Sequence, residues 1–444
     1  MLIEIQKTIK LSFPLIITQF TQMGIGVTDT LMMGWLGTTE LAALTLASTL
    51  LFILYIWIYG FPNASVALIS QAQGRQDATF ARRAFRMGLW AVILSSLVSI
   101  TILSQTDLIL RFFGQKEELI SLASQYMSIA KWMILPFMIF TMVRAFMMSI
   151  DRVYIIFWIS VFGLLFNALV NYMLIFGNFG APRLEIQGAA FASVISGLAM
   201  MVLMVGYTYL SKSIRNFELF KRIFKPDSKA LLQVIKMGFP IGLTTLAEVG
   251  SFSAAAVIMG WIGKVELAAH GILMQIFGLA FMIPLGISQA ATIRVGTALG
   301  EENKEKIYEA SKSIYILGMG FGVLIIFTLI LGGEFFINLF LDRRLADSDE
   351  VLRFASIFLF VGIIFHIFDC GQILAIGLLR GLSDTKVPFY LCLLSYWGVG
   401  IPVAYILSIH LGLGGSGIWI GLGIGMGFCF ATLGYRFKLL KANL

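Results

Sequence analysis

Long apolar runs separated by short polar ones mark twelve stretches of this chain, each of roughly 20 residues or more. They centre near Gly24, Leu54, Leu97, Pro136, Phe166, Leu198, Val249, Phe281, Val323, Val361, Val399 and Gly425. Runs of that length predict helices able to cross a bilayer, and the short connections between them predict a helix bundle. The longest connection, Ser211 to Gln233, is basic and contains Pro226.

The pattern occurs twice. Ile9-Lys10-Leu11-Ser12-Phe13-Pro14 returns as Ile235-Lys236-Met237-Gly238-Phe239-Pro240, and Met33-Gly34-Trp35-Leu36-Gly37 as Met259-Gly260-Trp261-Ile262-Gly263. Glu40-Leu41-Ala42-Ala43 returns as Glu266-Leu267-Ala268-Ala269, and Gly74 as Gly300, all at one constant offset. Two copies of one membrane unit follow, with six spans each. An even number starts both copies on the same side, so they are parallel repeats about an axis along the membrane normal. The expected domains are an N-lobe over 1–215, a basic cytoplasmic linker over 216–234 and a C-lobe over 235–444. The repeat fades beyond Gly74, although Asp151-Arg152 and Asp384-Thr385 hold similar positions after the fourth and tenth spans.

Composition agrees with this pattern. With 59% hydrophobic residues, 13% charged residues and a mean hydropathy of +0.90, no soluble fold of 444 residues hides the apolar surface. The net charge of +8 is not a nucleic-acid signal, because most Lys and Arg fall in alternate connections and at both ends. That bias predicts cytoplasmic termini. Cys370, Cys392 and Cys429 all lie in apolar runs, which argues against a disulfide framework. The first run, long and carrying Asp29, reads as a membrane helix rather than a cleaved leader.

Prolines inside spans (Pro62, Pro136, Pro284, Pro402) predict kinks, and Gly421, Gly423, Gly425 and Gly427 predict a close-packing face on the last span. There is no GxxxxGK[ST], HExxH, GxSxG or metal-ligand spacing, so the expectation is neither an enzyme nor a cofactor protein. Gly381-Leu382-Ser383-Asp384 lacks the second glycine of an intramembrane-protease motif. His270 and His410 read as interfacial, and Arg144 and Arg294 as snorkelling from helix ends. Met23, Met33, Met259 and Met282 read as core or as the lining of an adaptable cavity.

The acids within the spans carry the chemistry. A carboxylate at mid-helix costs about 2.5–3.5 kcal/mol on insertion, so several of them imply a use. They also stand where the copies disagree: Asp29 aligns with Ala255, and Glu248 with Gln22. Asp29 shares a helical face with Thr18, Gln22 and Gly26, and the fifth span offers Asn167 and Asn171 one turn apart. A carboxylate with amide oxygens suits a hard monovalent cation or a proton relay. Glu248, with Thr244 and Ser251 on its face, lies about 16 Å along the seventh span. Asp369, with His366 and Gln372 a turn to either side, lies near the same depth in the tenth. These two acids could close on a cation or on each other, because two carboxylates in a low-dielectric site are not cheaply ionised alone.

Several stretches resemble the multidrug and toxic compound extrusion (MATE) family, in its bacterial NorM-like branch. They are Val27-Thr28-Asp29-Thr30-Leu31-Met32-Met33-Gly34, Glu248, Ala268-Ala269-His270, Ser288-Gln289-Ala290-Ala291-Thr292-Ile293-Arg294-Val295-Gly296 and Leu378-Leu379-Arg380-Gly381-Leu382-Ser383-Asp384-Thr385. The resemblance implies an all-α protein of two six-helix lobes in the bacterial inner membrane, monomeric. It would export amphipathic, often cationic compounds in exchange for Na⁺ or H⁺. It also implies cation-coupling roles for Asp29, Glu248 and Asp369, with Asn167 and Asn171 near the first. Phe365 stands where relatives carry a tyrosine hydroxyl, which removes one expected ligand, and the proline that bends the first helix in archaeal relatives is absent. The alternative is a lipid-linked precursor flippase of a related family, whose cavity would be lined by cationic side chains.

Overall fold

The computed structural model describes residues 1–442 except 216, 342 and 344–346. Residue 216, where the expected linker starts, and residues 443–444, where the expected C-lobe ends, lie outside the described residues. Within them every regular element is helical. Twelve long helices follow the twelve runs: α1 (Leu2–Leu36), α2 (Thr38–Gly74), α3 (Ala78–Leu103), α4 (Glu117–Ser149), α5 (Val153–Phe176) and α6 (Glu185–Leu210), then α7 (Ser228–Ile262), α8 (Lys264–Gly300), α9 (Lys304–Phe340), α10 (Ser348–Gly381), α11 (Lys386–His410) and α12 (Gly414–Ala442). Of these, the 11 from α2 to α12 are long and apolar enough to cross a membrane. The helix α1 has the length, 35 residues, but Thr18, Gln19, Thr21 and Gln22 interrupt its apolar run.

The sequence repeat is also a repeat of backbone geometry. Asp77 accepts from the Phe80 amide at 2.9 Å to cap α3, and Asn303 accepts from the Lys306 amide at 2.9 Å to cap α9. Each cap follows a left-handed residue, Gln76 at φ 56° and Glu302 at φ 55°. A β-carbon at Gly37 would meet the Glu40 carboxylate at 2.1 Å, and one at Gly263 the Glu266 carboxylate at 2.2 Å. Similarity persists where the sequences have diverged. After α4, Asp151 (φ 59°) and Arg152 bond back to Met148 and Met147; after α10, Ser383 (φ 62°) and Asp384 bond back to Arg380 and Leu379. Asp151-Arg152 thus corresponds to Ser383-Asp384, one residue earlier than the sequence pairing.

The chain separates into two compact units, Ile17–Gly242 and Met1–Ile16 with Leu243–Leu444. This differs from a division at the linker, because each copy's first half-helix groups with the other copy. A close backbone approach explains each exchange. A β-carbon at Gly60 of α2 would fall 2.2 Å from the Gly238 carbonyl oxygen of α7, and one at Gly286 of α8 would fall 2.8 Å from the Ile16 α-carbon of α1. Only glycine admits such contacts. Arg294 of α8 holds the α1 arm further, bonding Glu4, Thr8 and Ser313. The α7 arm begins at Asp227, which accepts from the Ala230 amide at 3.1 Å and from Arg83 Nε at 2.5 Å. The Arg83 hydrogen bond, with the Ala230 amide and Arg86, holds the Asp227 carboxyl below the usual range despite partial burial.

Pro62 and Pro284 lie inside continuous α2 and α8. Pro136 follows a 3₁₀ turn at Lys131–Met133, and Pro402 lies between π-helical stretches at Leu394–Gly400 and Ile406–His410. The expected glycine face of α12 is real at two positions. A β-carbon at Gly421 would meet the Ala404 backbone at 2.3 Å, and one at Gly425 the Gly400 α-carbon at 2.8 Å.

Candidate functional site

Among the described residues, each unit holds an intramembrane acid in a polar cluster, a buried pair in one and the half-buried Asp29 in the other. In the unit holding Leu243–Leu444, α7 supplies Glu248 and α10 supplies Asp369, which are 8% and 5% exposed. Gln372, one turn beyond Asp369 and fully buried, joins them. Its Nε2 donates to Glu248 Oε1 at 2.7 Å and to Asp369 Oδ1 at 3.3 Å. Its Oε1 accepts from the Tyr396 hydroxyl of α11 at 2.6 Å. Cys429 Sγ approaches Gln372 Oε1 at 3.5 Å and Cys392 Sγ at 3.5 Å. Ser251 donates to the Glu248 carbonyl at 2.7 Å, and Thr244 is buried one turn before Glu248.

In the unit Ile17–Gly242, Asp29 Oδ1 accepts from Asn171 Nδ2 at 2.5 Å and Oδ2 accepts from Ser193 at 3.2 Å. Asn171 Nδ2 also reaches Asn167 Oδ1 at 3.0 Å. Both asparagines are fully buried. No hydrogen bond among the described residues brings Gln22 to this cluster; it is half-buried on α1.

Several residues lie elsewhere than the sequence suggested. His366 turns from the acids toward Cys370 (3.5 Å) and the Phe277 ring. His270 is buried rather than interfacial, its ring 5.4 Å from Trp419, because α8 begins six residues earlier and carries it into the core. Arg144 does not snorkel. It is 2% exposed, its Nη2 donates to the Tyr59 hydroxyl at 2.7 Å, and its Nε and Nη1 have no partner among the described residues. Arg294 is held by the α1 arm, and Met33 and Met259 are fully buried core. Phe365 packs on Phe252, Phe277 and Trp419. A hydroxyl that does reach the bridging amide is that of Tyr396, which the sequence reading did not select.

The MatE family model matches residues 14–173 and 240–406, one match to each copy and together most of the chain. The chain belongs to the MatE family. Among curated MatE relatives, a probable multidrug resistance protein NorM of Rhizobium meliloti (strain 1021) is 41% identical over 90% of this chain and 86% of its own. The protein of the same description from Agrobacterium fabrum is 40% identical over 91% of this chain and 87% of its own. Within the family the chain is therefore NorM-like and bacterial in type. The eukaryotic MATE transporter AtDTX14 has the same fold, with a TM-score of 0.88 at 20% identity over 99% of this chain and 96% of that one. A MATE structure solved in complex with MaL6 superposes with a TM-score of 0.91 at 19% identity, covering 99% of this chain and 97% of that one. Membership makes this a multi-pass membrane protein of a transporter family, as the sequence resemblance implied.

Proposed function

We propose that this chain is a secondary active multidrug efflux transporter of the bacterial inner membrane, exporting amphipathic, often cationic compounds in exchange for Na⁺ or H⁺. The observation that carries the reading is the buried pair Glu248 and Asp369, bridged by the Gln372 amide at 2.7 and 3.3 Å. Two carboxylates drawn from water onto one point need a positive charge there to be stable together. The curated relatives named above carry the description multidrug resistance, which supports drug-like substrates.

The Asp29 cluster fits a second cation or proton. Asn171 Oδ1 and Asn167 Nδ2 are buried without partners among the described residues. Turning the Asn171 amide over would set its oxygen beside Asp29, an arrangement that only a cation relieves. Asp29, Asn167, Asn171 and Ser193 then offer oxygen ligands of the kind Na⁺ takes. Coupling follows from linkage: ion and drug favour different conformations, so each drives out the other. One cation falling through 100 mV provides about 2.3 kcal/mol, enough for a roughly fifty-fold gradient of a neutral drug. A monovalent cationic drug exchanged one for one gains nothing from the potential and is driven by the ion's chemical gradient alone.

The charge bias supports cytoplasmic termini, and the repeat supports lobes over 1–215 and 235–444 acting as one monomeric transporter. Arg144 supports a second reading, a lipid-linked precursor flippase, since a buried guanidinium with unpartnered nitrogens suits an anionic headgroup. Dye efflux from right-side-out vesicles, with Na⁺ and pH gradients imposed separately, tests the main reading. Efflux should follow one gradient and vanish in Glu248→Gln. Efflux driven by neither gradient, or unaffected by Glu248→Gln, would overturn it.

A further inference from the structure

We propose that Gln372 is a reversible cation ligand, an amide whose two faces serve the two states of the Glu248–Asp369 site, with Tyr396 holding it in each. The inference rests on the reading of that site as a cation site. Ionised carboxylates only accept hydrogen bonds, so the amide nitrogen must face Glu248 and Asp369, as it does at 2.7 and 3.3 Å. The nitrogen thus stands at the point both acids share, its two hydrogens substituting for a positive charge. A cation arriving there repels the N–H groups. Rotation of the amide about its last bond brings Oε1 to the cation as a third oxygen ligand.

That rotation needs a partner on the far side that is both donor and acceptor, and a phenol is one. Tyr396 now donates to Gln372 Oε1 at 2.6 Å; after rotation its oxygen accepts from Nε2. An independent feature points to the same residue. Tyr396 lies in the π-helical stretch Leu394–Gly400, and π-turns gather at functional positions. Two consecutive side chains of this stretch reach different acid-bearing helices: Tyr396 reaches Gln372 of α10, and Trp397 Nε1 donates to the Ala247 carbonyl of α7 at 2.9 Å, next to Glu248. The irregular turn therefore fixes the hydroxyl relative to both acids.

Equilibrium binding of radioactive Na⁺ to the purified full-length protein tests the proposal, with Ca²⁺ as competitor because it takes oxygen ligands in flexible geometry. Gln372→Leu should weaken Na⁺ binding at least ten-fold. Gln372→Glu adds a third carboxylate where the amide oxygen would ligate, so Ca²⁺ should displace Na⁺ at a concentration at least ten-fold lower than for the wild type. A purely structural glutamine would not change this ion preference. Thermal unfolding of each variant confirms a folded sample. If Na⁺ binding is lost in Glu248→Gln but both Gln372 variants bind like the wild type, the role of Gln372 is overturned and the site stands. If the wild type binds no Na⁺, or Glu248→Gln still binds it, the Na⁺ site fails, and this inference with it.

Discussion

Replacing Arg294 by Gln should loosen the α1 arm selectively. Arg294 donates to the Glu4 carboxylate, to Thr8 Oγ1, and at 3.0 Å to both Ser313 Oγ and the Glu4 carbonyl. Arg294 and Glu4 are 13% and 16% exposed at the side chain, so the pair is only weakly screened by solvent. Breaking a buried pair by removing one partner costs about 3–5 kcal/mol. Two features lower that figure here. Glu4 keeps Lys7 as a partner at 2.6 Å, and Thr8 and Ser313 remain bonded to each other at 3.0 Å. A loss of about 2 kcal/mol is therefore expected, allowing about 1 kcal/mol for each strong bond not replaced. Reversible denaturant unfolding of Arg294→Gln, Glu4→Gln and the double variant gives the coupling directly. The double variant should cost at least about 1 kcal/mol less than the sum of the singles. Cleavage by trypsin after Lys7 and Lys10 should accelerate in Arg294→Gln while cleavage in the linker does not. Additive costs, or equal acceleration at both places, would refute the idea that this guanidinium clasps the arm.

Asp29→Asn should insert and fold near wild type, since a half-buried charge is removed from the span, while vesicle efflux falls sharply; normal efflux in a well-expressed variant would make Asp29 structural. Gly425→Leu should abolish accumulation of folded protein, because the new side chain meets the Gly400 α-carbon at 2.8 Å with only backbone to yield, as fluorescence-detected size exclusion will show. Asp227→Asn should lower stability by no more than about 1 kcal/mol, because Arg83 is 40% exposed. Its carboxyl lies below the usual range, so the difference should persist from neutral pH down to about 4 and disappear as the pH falls through the native value. Unfolding curves across that range check the sign.

The repeat and the acids were legible because both are written locally. A run of apolar residues cannot hide a carboxylate, and Asp29, Glu248 and Asp369 each stand alone in one. The partners were harder to see. Asn171 was legible from its spacing with Asn167, but Ser193 is one serine among many, and nothing local distinguishes it until α6 meets α1. Tyr396 acts through a π-turn, whose extra residue defeats reading helical faces at 3.6 residues per turn. Arg144 and His270 misled because polar residues near the end of an apolar run read as reaching for water. Their burial is decided by Tyr59 and Trp419, which are far away in sequence. The exchange of the arms was invisible because Gly60 and Gly286 identify a close approach but not which helix makes it.

That exchange sets an order of events during synthesis. When the first six helices have left the ribosome, the surface around Gly60 is still waiting for residues 228–242, which are made only after the linker. The α1 arm in turn waits for Arg294 of α8 and Ser313 of α9. Neither copy can mature alone, and a chain arrested within the linker would hold two unfinished surfaces in the bilayer. Severed at the linker, the two fragments should therefore be inactive singly and complement each other when produced together, each supplying the half-helix that completes the other.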